Sequence, residues 1–203
     1  DEAAARTIAD RIALDTAIYD QSGCLSPVAV LVQSGSAITT RQFAGYLLES
    51  LIKSPLKTGN YRPELLAPVR LFLQESSLLY GRDAVLTGPD GIPPAVAISD
   101  VLRPNPGMRT MQIIEFQNND DPTSRPPDLA ALLPGLQNRI QGMSVATGSP
   151  GDTLADSTET AALLAANPAF HPNYLCAPGF LQDPPALWPE NGIVLTRKLH
   201  RLI

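Results

Sequence analysis

Between Pro68 and Gly81 the chain reads P-V-R-L-F-L-Q-E-S-S-L-L-Y-G. Val69, Phe72, Leu73, Leu79 and Tyr80 recur at helical spacing, and Arg70, Gln74 and Glu75 can face water. The spacing predicts a helix with one wide apolar face. Pro68 suits the first turn, where its missing N–H costs nothing, and Gly81 suits the position just past the end. A helix this short is marginal alone in water, so it needs strands to cover.

Candidate strands and helices surround it. Residues 1–19 read as an alanine-rich helix with Ala5, Ile8, Ile12 and Tyr19 along one face, stopped by Gln21-Ser22-Gly23. Val28 to Val32 is a continuous apolar run, which suits a strand covered on both faces. Thr39 with Gln42 three residues on is a capping-box pattern. The helix it opens carries Phe43, Leu47, Leu48, Leu51 and Ile52 and should stop at Ser54, before Pro55. Residues 84–86, 95–102 and 108–117 read as strands, the last two as a hairpin across Arg103–Gly107. Asp128 opens a helical run that Pro134 interrupts, residues 158–166 form a further helix, and 143–145, 173–177 and 192–199 read as short extended pieces. No internal repeat or linker divides the chain. The predicted fold is α/β (α+β), with helices packed on a small mixed β-sheet in one compact domain over residues 1–203 and long proline-rich loops.

Composition narrows the function classes. Of 203 residues 44% are hydrophobic and 17% charged, which excludes an ordinary disordered chain. The net charge of −5 and the scattering of fifteen basic residues argue against nucleic acid as a partner. No apolar run approaches the roughly 20 residues of a membrane helix. The first residue is Asp1, not Met, which reads as a processed or trimmed chain. With that we expect an exported or particle-associated protein rather than a cytoplasmic one.

Candidate chemistry is sparse. Cys24 and Cys176 lack C-x-x-C spacing, which excludes a zinc or redox motif. In an exported protein they are expected to lie close enough to bond. Cys24 follows a helix in a Ser-Gly-Cys turn, and only His171 and His200 could serve as its base. A thiolate beside a base is the arrangement nucleophilic catalysis needs, so Cys24 and His171 are the candidate catalytic residues. The competing readings are cysteines buried as small hydrophobes and a packed loop histidine. Asp120 and Asp121, in a loop after a strand, are candidate hard-cation ligands, or else a solvated turn. Ser54-Pro-Leu-Lys57 overlaps Lys57-Thr-Gly59, although the S-x-x-K and K-T-G motifs belong on separate elements. No cofactor fingerprint is present, and no cofactor is expected.

Trp188 lies in the proline-rich stretch after Leu181, and Arg197 and Arg201 in the basic stretch behind it. Residues 181–203 read as a docking arm with these three at an interface, or as an edge strand of the chain's own sheet. From Ile114 to Gly179 the order E-F-Q-N, D-P, helix, G-S-P-G, helix, N-Y-L-C-A-P-G resembles part of a contractile-tail sheath subunit. The likeness lies in layout more than in identity, spans about a third of the chain and stops before Pro184. It implies an assembly protein and carries over no residue role. We therefore expect a non-catalytic structural or interaction subunit of a particle, tail or envelope assembly, with a protein partner or homo-oligomer. The alternatives are a secreted or periplasmic hydrolase with a Cys or Ser nucleophile, and a small-ligand-binding module.

Overall fold

The computed structural model describes residues 1–35, 37–56, 61, 63–89, 91, 93–117, 127–146, 158–184, 189–190 and 193–194. The architecture is α/β, with helices on a mixed four-stranded sheet and a smaller two-stranded sheet beside it.

Helix α1 (Glu2–Ala17) starts at Asp1, whose carboxylate accepts from the Ala4 N–H at 2.8 Å. Its alanines let α2 (Thr40–Lys53) approach closely, and Ala5, Ala9, Ile12 and Ala13 pack with Phe43, Leu47 and Leu51. The capping box is formed: the Gln42 N–H donates to Thr39 Oγ1 at 3.2 Å, and the Thr39 N–H donates to Gln42 Oε1 at 2.9 Å. Helix α2 ends at Ser54, as Pro55 requires.

The sheet runs β1-β4-β3-β2, from β1 (Ala29–Gln33), β2 (Val85–Thr87), β3 (Ala95–Ser99) and β4 (Thr110–Phe116). Side chains alternate across it. Val96, Met111 and Ile113 face α1 and α2, Ala95 and Ala97 face α3 (Leu66–Tyr80), and Ile114 joins Leu129, Leu133 and Phe170. Strand β1 has both faces covered but sits at the edge, so its residues are only half-buried.

The expected hairpin between β3 and β4 is not there. The two strands are parallel, with Ala95 opposite Thr110 and Ser99 opposite Ile114. The segment 100–109 instead runs back along the sheet, and the buried Gln112 holds it. Gln112 Oε1 accepts from the Arg103 N–H at 3.0 Å, and Gln112 Nε2 donates to the Arg103 carbonyl at 2.6 Å. Asn105 Nδ2 adds bonds to the Val28 and Thr110 carbonyls at 2.7 and 2.8 Å. With its polar groups satisfied by side chains, an irregular crossover can replace a turn.

Helix α3 follows a 3₁₀ turn at Pro63–Leu65, so Pro68 sits just inside it. Val69, Phe72 and Leu73 are buried as the spacing predicts, whereas Leu79 is 65% exposed. Helix α3 has 15 residues, about 22 Å, and strands β3 and β2 have five and three, about 17 and 10 Å, so the helix outlasts the sheet.

Further on, α4 (Leu129–Leu132) is short, ending ahead of Pro134, and β5 (Gly142–Ser144) pairs in parallel with β6 (Tyr174–Cys176). Helix α5 (Thr158–Ala166) lies between them in sequence. Strands β7 (Pro189–Glu190) and β8 (Ile193–Val194) pair antiparallel. Leu181, at the start of the segment read as a docking arm, is buried. Among the described residues no helix is long and apolar enough to cross a membrane.

Candidate functional site

The connection from α1 to β1 is short and unusually well held. The chain leaves α1 through Asp20 and Gln21, both left-handed, at φ +51° and +62°. Neither is glycine, and such residues persist where surrounding structure fixes them. The Gln21 N–H donates to the Thr16 carbonyl at 2.8 Å and the Ser22 N–H to the Tyr19 carbonyl at 2.8 Å. Ser26 then closes a second turn: its N–H donates to the Gly23 carbonyl at 3.0 Å, and its Oγ accepts from the Gly23 N–H at 3.1 Å. A Cβ on Gly23 would stand 2.9 Å from Tyr19 Cδ2, so a larger residue there would push the half-exposed ring aside. Cys24 lies in this turn with its side chain exposed, and the next residue, Leu25, is buried.

Three side chains moor the turn. Gln21 spans the amino ends of β1 and β4. Its Nε2 donates to the Pro27 carbonyl at 2.9 Å and the Thr110 carbonyl at 3.0 Å, and its Oε1 accepts from the Thr110 N–H at 2.9 Å. Asp20 meets the buried Arg109, Nε to Oδ1 at 2.6 Å, and accepts from the Tyr61 hydroxyl at 2.5 Å. Burial, and then the Asp20 carboxylate, push the Tyr61 hydroxyl above the usual tyrosine range. Arg109 Nη1 also donates to the Leu56 carbonyl at 3.0 Å, tying in the loop after α2.

Asp15, fully buried near the end of α1, accepts from the Gly179 N–H at 2.7 Å and the Leu181 N–H at 3.1 Å. Burial raises its pKa to about 6 against the opposing pull of these bonds. Gln182 Nε2 donates to the Asp15 carbonyl at 3.1 Å and reaches Ser26 Oγ at 3.4 Å. Residues 177–183 are thereby strapped across the end of α1.

The two cysteines are both free thiols, which removes the expected bond between them. Cys176 is buried, its Sγ 3.9 Å from the Met143 carbonyl, and burial pushes its pKa up to about 11. It is held as a thiol and shielded from reagents. Cys24 is the accessible thiol of the pair. His171 is exposed, just after the 3₁₀ turn Pro168–Phe170, and among the described residues no hydrogen bond joins it to Cys24. Asp120, Asp121, Trp188, Arg197 and Arg201 lie outside the described residues, as do Lys57 and Gly59. Among the described residues no group of three or more His, Cys, Asp or Glu could hold a metal ion. A shallow cleft of about 420 Å³ lies at the opposite, carboxyl end of β1, lined by Ser34, Thr39, Arg41 and Glu115.

Sequence reasoning placed Cys24 in a turn but missed Asp15, Asp20, Gln21, Tyr61, Arg109 and Gln182. The signal available was two polar residues, Asp20 and Gln21, between a helix and a Ser-Gly pair, where they read as an ordinary helix stop.

Residues 1–65, which contain Cys24 together with Asp15, Asp20, Gln21 and Tyr61, match the acyl-CoA reductase (LuxC) family. No curated protein matches the chain. The family match points to an enzyme. It overturns the expected non-catalytic structural or interaction subunit and the assembly role inferred from the sheath-like layout. It also disagrees with both alternatives, since a reductase is neither a hydrolase nor a plain binding module. The expectation failed because one exposed cysteine carries no motif that spacing alone can reveal.

Proposed function

We propose that the chain takes part in acyl-CoA reduction and that Cys24 is the nucleophile that receives the acyl group. The observation that carries this is the position of Cys24: an accessible thiol, in a turn fixed on both sides, within the residues that match acyl-CoA reductases. The chemistry follows from the substrate class. The Cys24 thiolate attacks the thioester carbonyl, the carbon–sulfur bond to CoA breaks, and the CoA thiolate leaves with the electron pair. The product is an acyl thioester on Cys24. Thiolate and leaving group are alike, so the exchange is nearly isoenergetic, and what the protein supplies is orientation.

A reductase also needs a two-electron donor to convert the bound thioester to an aldehyde. Among the described residues the turn from β1 into α2 does not fit a dinucleotide. The chain has no G-x-G-x-x-G, and the turn from β1 into α2 holds only Gly35, with the Thr39 hydroxyl occupying the Gln42 N–H. No step is assigned to such a donor. Acyl transfer is the part of the reaction that this chain's own residues support.

The test follows CoA release. With an acyl-CoA in excess, wild type is expected to release one equivalent of free CoA, Cys24→Ser none, and Cys176→Ser the wild-type amount. Release that persists in Cys24→Ser would overturn the proposal.

A further inference from the structure

We infer that Gln21 is the positioning residue for Cys24, and that its side-chain amide closes the base of the loop that carries the thiol. The inference rests on the acyl-transfer reading of Cys24 and adds a role that neither the family match nor the sequence assigns. The chain leaves α1 at Gln21 and reaches β1 through Pro27. Gln21 Nε2 grips the Pro27 carbonyl at 2.9 Å, so one side chain holds both ends of the intervening Ser22–Ser26 segment. The same amide group makes a two-way bridge to Thr110, donating to its carbonyl at 3.0 Å and accepting from its N–H at 2.9 Å. The loop is thus fixed to the first residue of the central strand β4 as well as closed on itself.

The register explains why a side chain is needed. Ala29 lies opposite Gln112 in the β1–β4 pair, so the same register carried back by two residues sets Pro27 opposite Thr110. In a parallel pair the rung would run from Thr110 to the residues flanking Pro27, its N–H to the Ser26 carbonyl and its carbonyl to the Val28 N–H, and neither bond is formed. The Gln21 amide supplies the donor and the acceptor that the missing rung would have given. The backbone gives a second argument. At φ +62° glycine or asparagine is the favoured residue, and a glutamine is disfavoured. A turn selected only for its shape would have glycine there. Glutamine in this conformation is accounted for by the reach of its amide, which asparagine, one methylene shorter, lacks. The bridge then keeps the thiol from wandering relative to whatever binds the rest of the acyl-CoA.

Gln21→Gly separates positioning from folding, because glycine suits the left-handed backbone while the amide is lost. Gln21→Met serves as the second variant, keeping the side-chain length without hydrogen bonds. Acylation of Cys24 by palmitoyl-CoA is followed by intact mass at several concentrations, beside thermal melting. The expected result is a melting temperature within a few degrees of wild type for Gln21→Gly. Its limiting acylation rate should fall by about tenfold or more, with little change in the half-saturating concentration. Gln21→Met should slow acylation likewise. Wild-type rates in either folded variant, or a change in half-saturation alone, would overturn the inference. So would a loss of folding in both, which would make Gln21 a folding residue. If the wild type itself forms no thioester, the acyl-transfer reading falls and this inference with it.

Discussion

Asp15 is a carboxylate placed where burial works against its charge. A carboxylate with no solvent exposure gives up strong hydration, and the two N–H groups from Gly179 and Leu181 return part of it. Burial still dominates and raises the pKa from 3.8 to about 6. The folded state therefore holds this proton more tightly than the unfolded one. The stability it contributes is full below pH 3.8 and is lost as pH rises through about 6. In urea titrations across that range, wild type should lose stability relative to Asp15→Asn as pH rises, and then run parallel to it. A difference that grows in the other direction would contradict the account. At this scale Cys24 was legible, because a helix stop before it and Pro27 after it leave only a turn. Gln21 and Arg109 were not. The partners of Gln21 at Thr110 and of Arg109 at Asp20 are 89 residues away along the chain, and no local pattern announces them.

Elements were more legible than their pairing. Helix α2 was readable to its ends because cap and proline are local signals. Helix α3 was readable as a helix, and its buried face only in part, since the apolar stripe continues past the sheet it covers. Phe72→Ala should cost about 3–5 kcal/mol in chemical denaturation, as the ring packs on Ala95 and Ala97. Leu78 is 85% exposed, and Leu78→Lys should change stability by no more than about 0.5 kcal/mol. The parallel pairing of β3 with β4 was hidden because the crossover that allows it is held by the side-chain amides of Gln112 and Asn105, which no local pattern announces. Gln112→Leu strands an N–H and a carbonyl of Arg103, and should cost about 2–4 kcal/mol. A loss under about 1 kcal/mol in the same denaturation series would mean that the crossover is held by something else.

For the molecule as a whole, the family match ends at residue 65, yet the turn that carries Cys24 is completed from beyond it. Arg109 and Thr110 come from the start of β4, and Gly179, Leu181 and Gln182 from the strap across α1. Leu181 and Leu25 pack together over Gly142, where an added Cβ would meet each at 3.0 Å. The α/β class was readable from local pattern, since the apolar runs of β1 and β3 and the helical spacing in α2 and α3 are properties of contiguous residues. The role proposed for Cys24 was not, because a single cysteine in a turn held by distant groups leaves no spacing to read. The central claim is that Cys24 accepts the acyl group, and peptide mapping of the protein after brief exposure to an acyl-CoA tests it most directly. The account predicts a hydroxylamine-labile acyl mass on the peptide bearing Cys24 and none on the one bearing Cys176. An acyl group on Cys176, or an unmodified Cys24 peptide at saturating acyl-CoA, would contradict it.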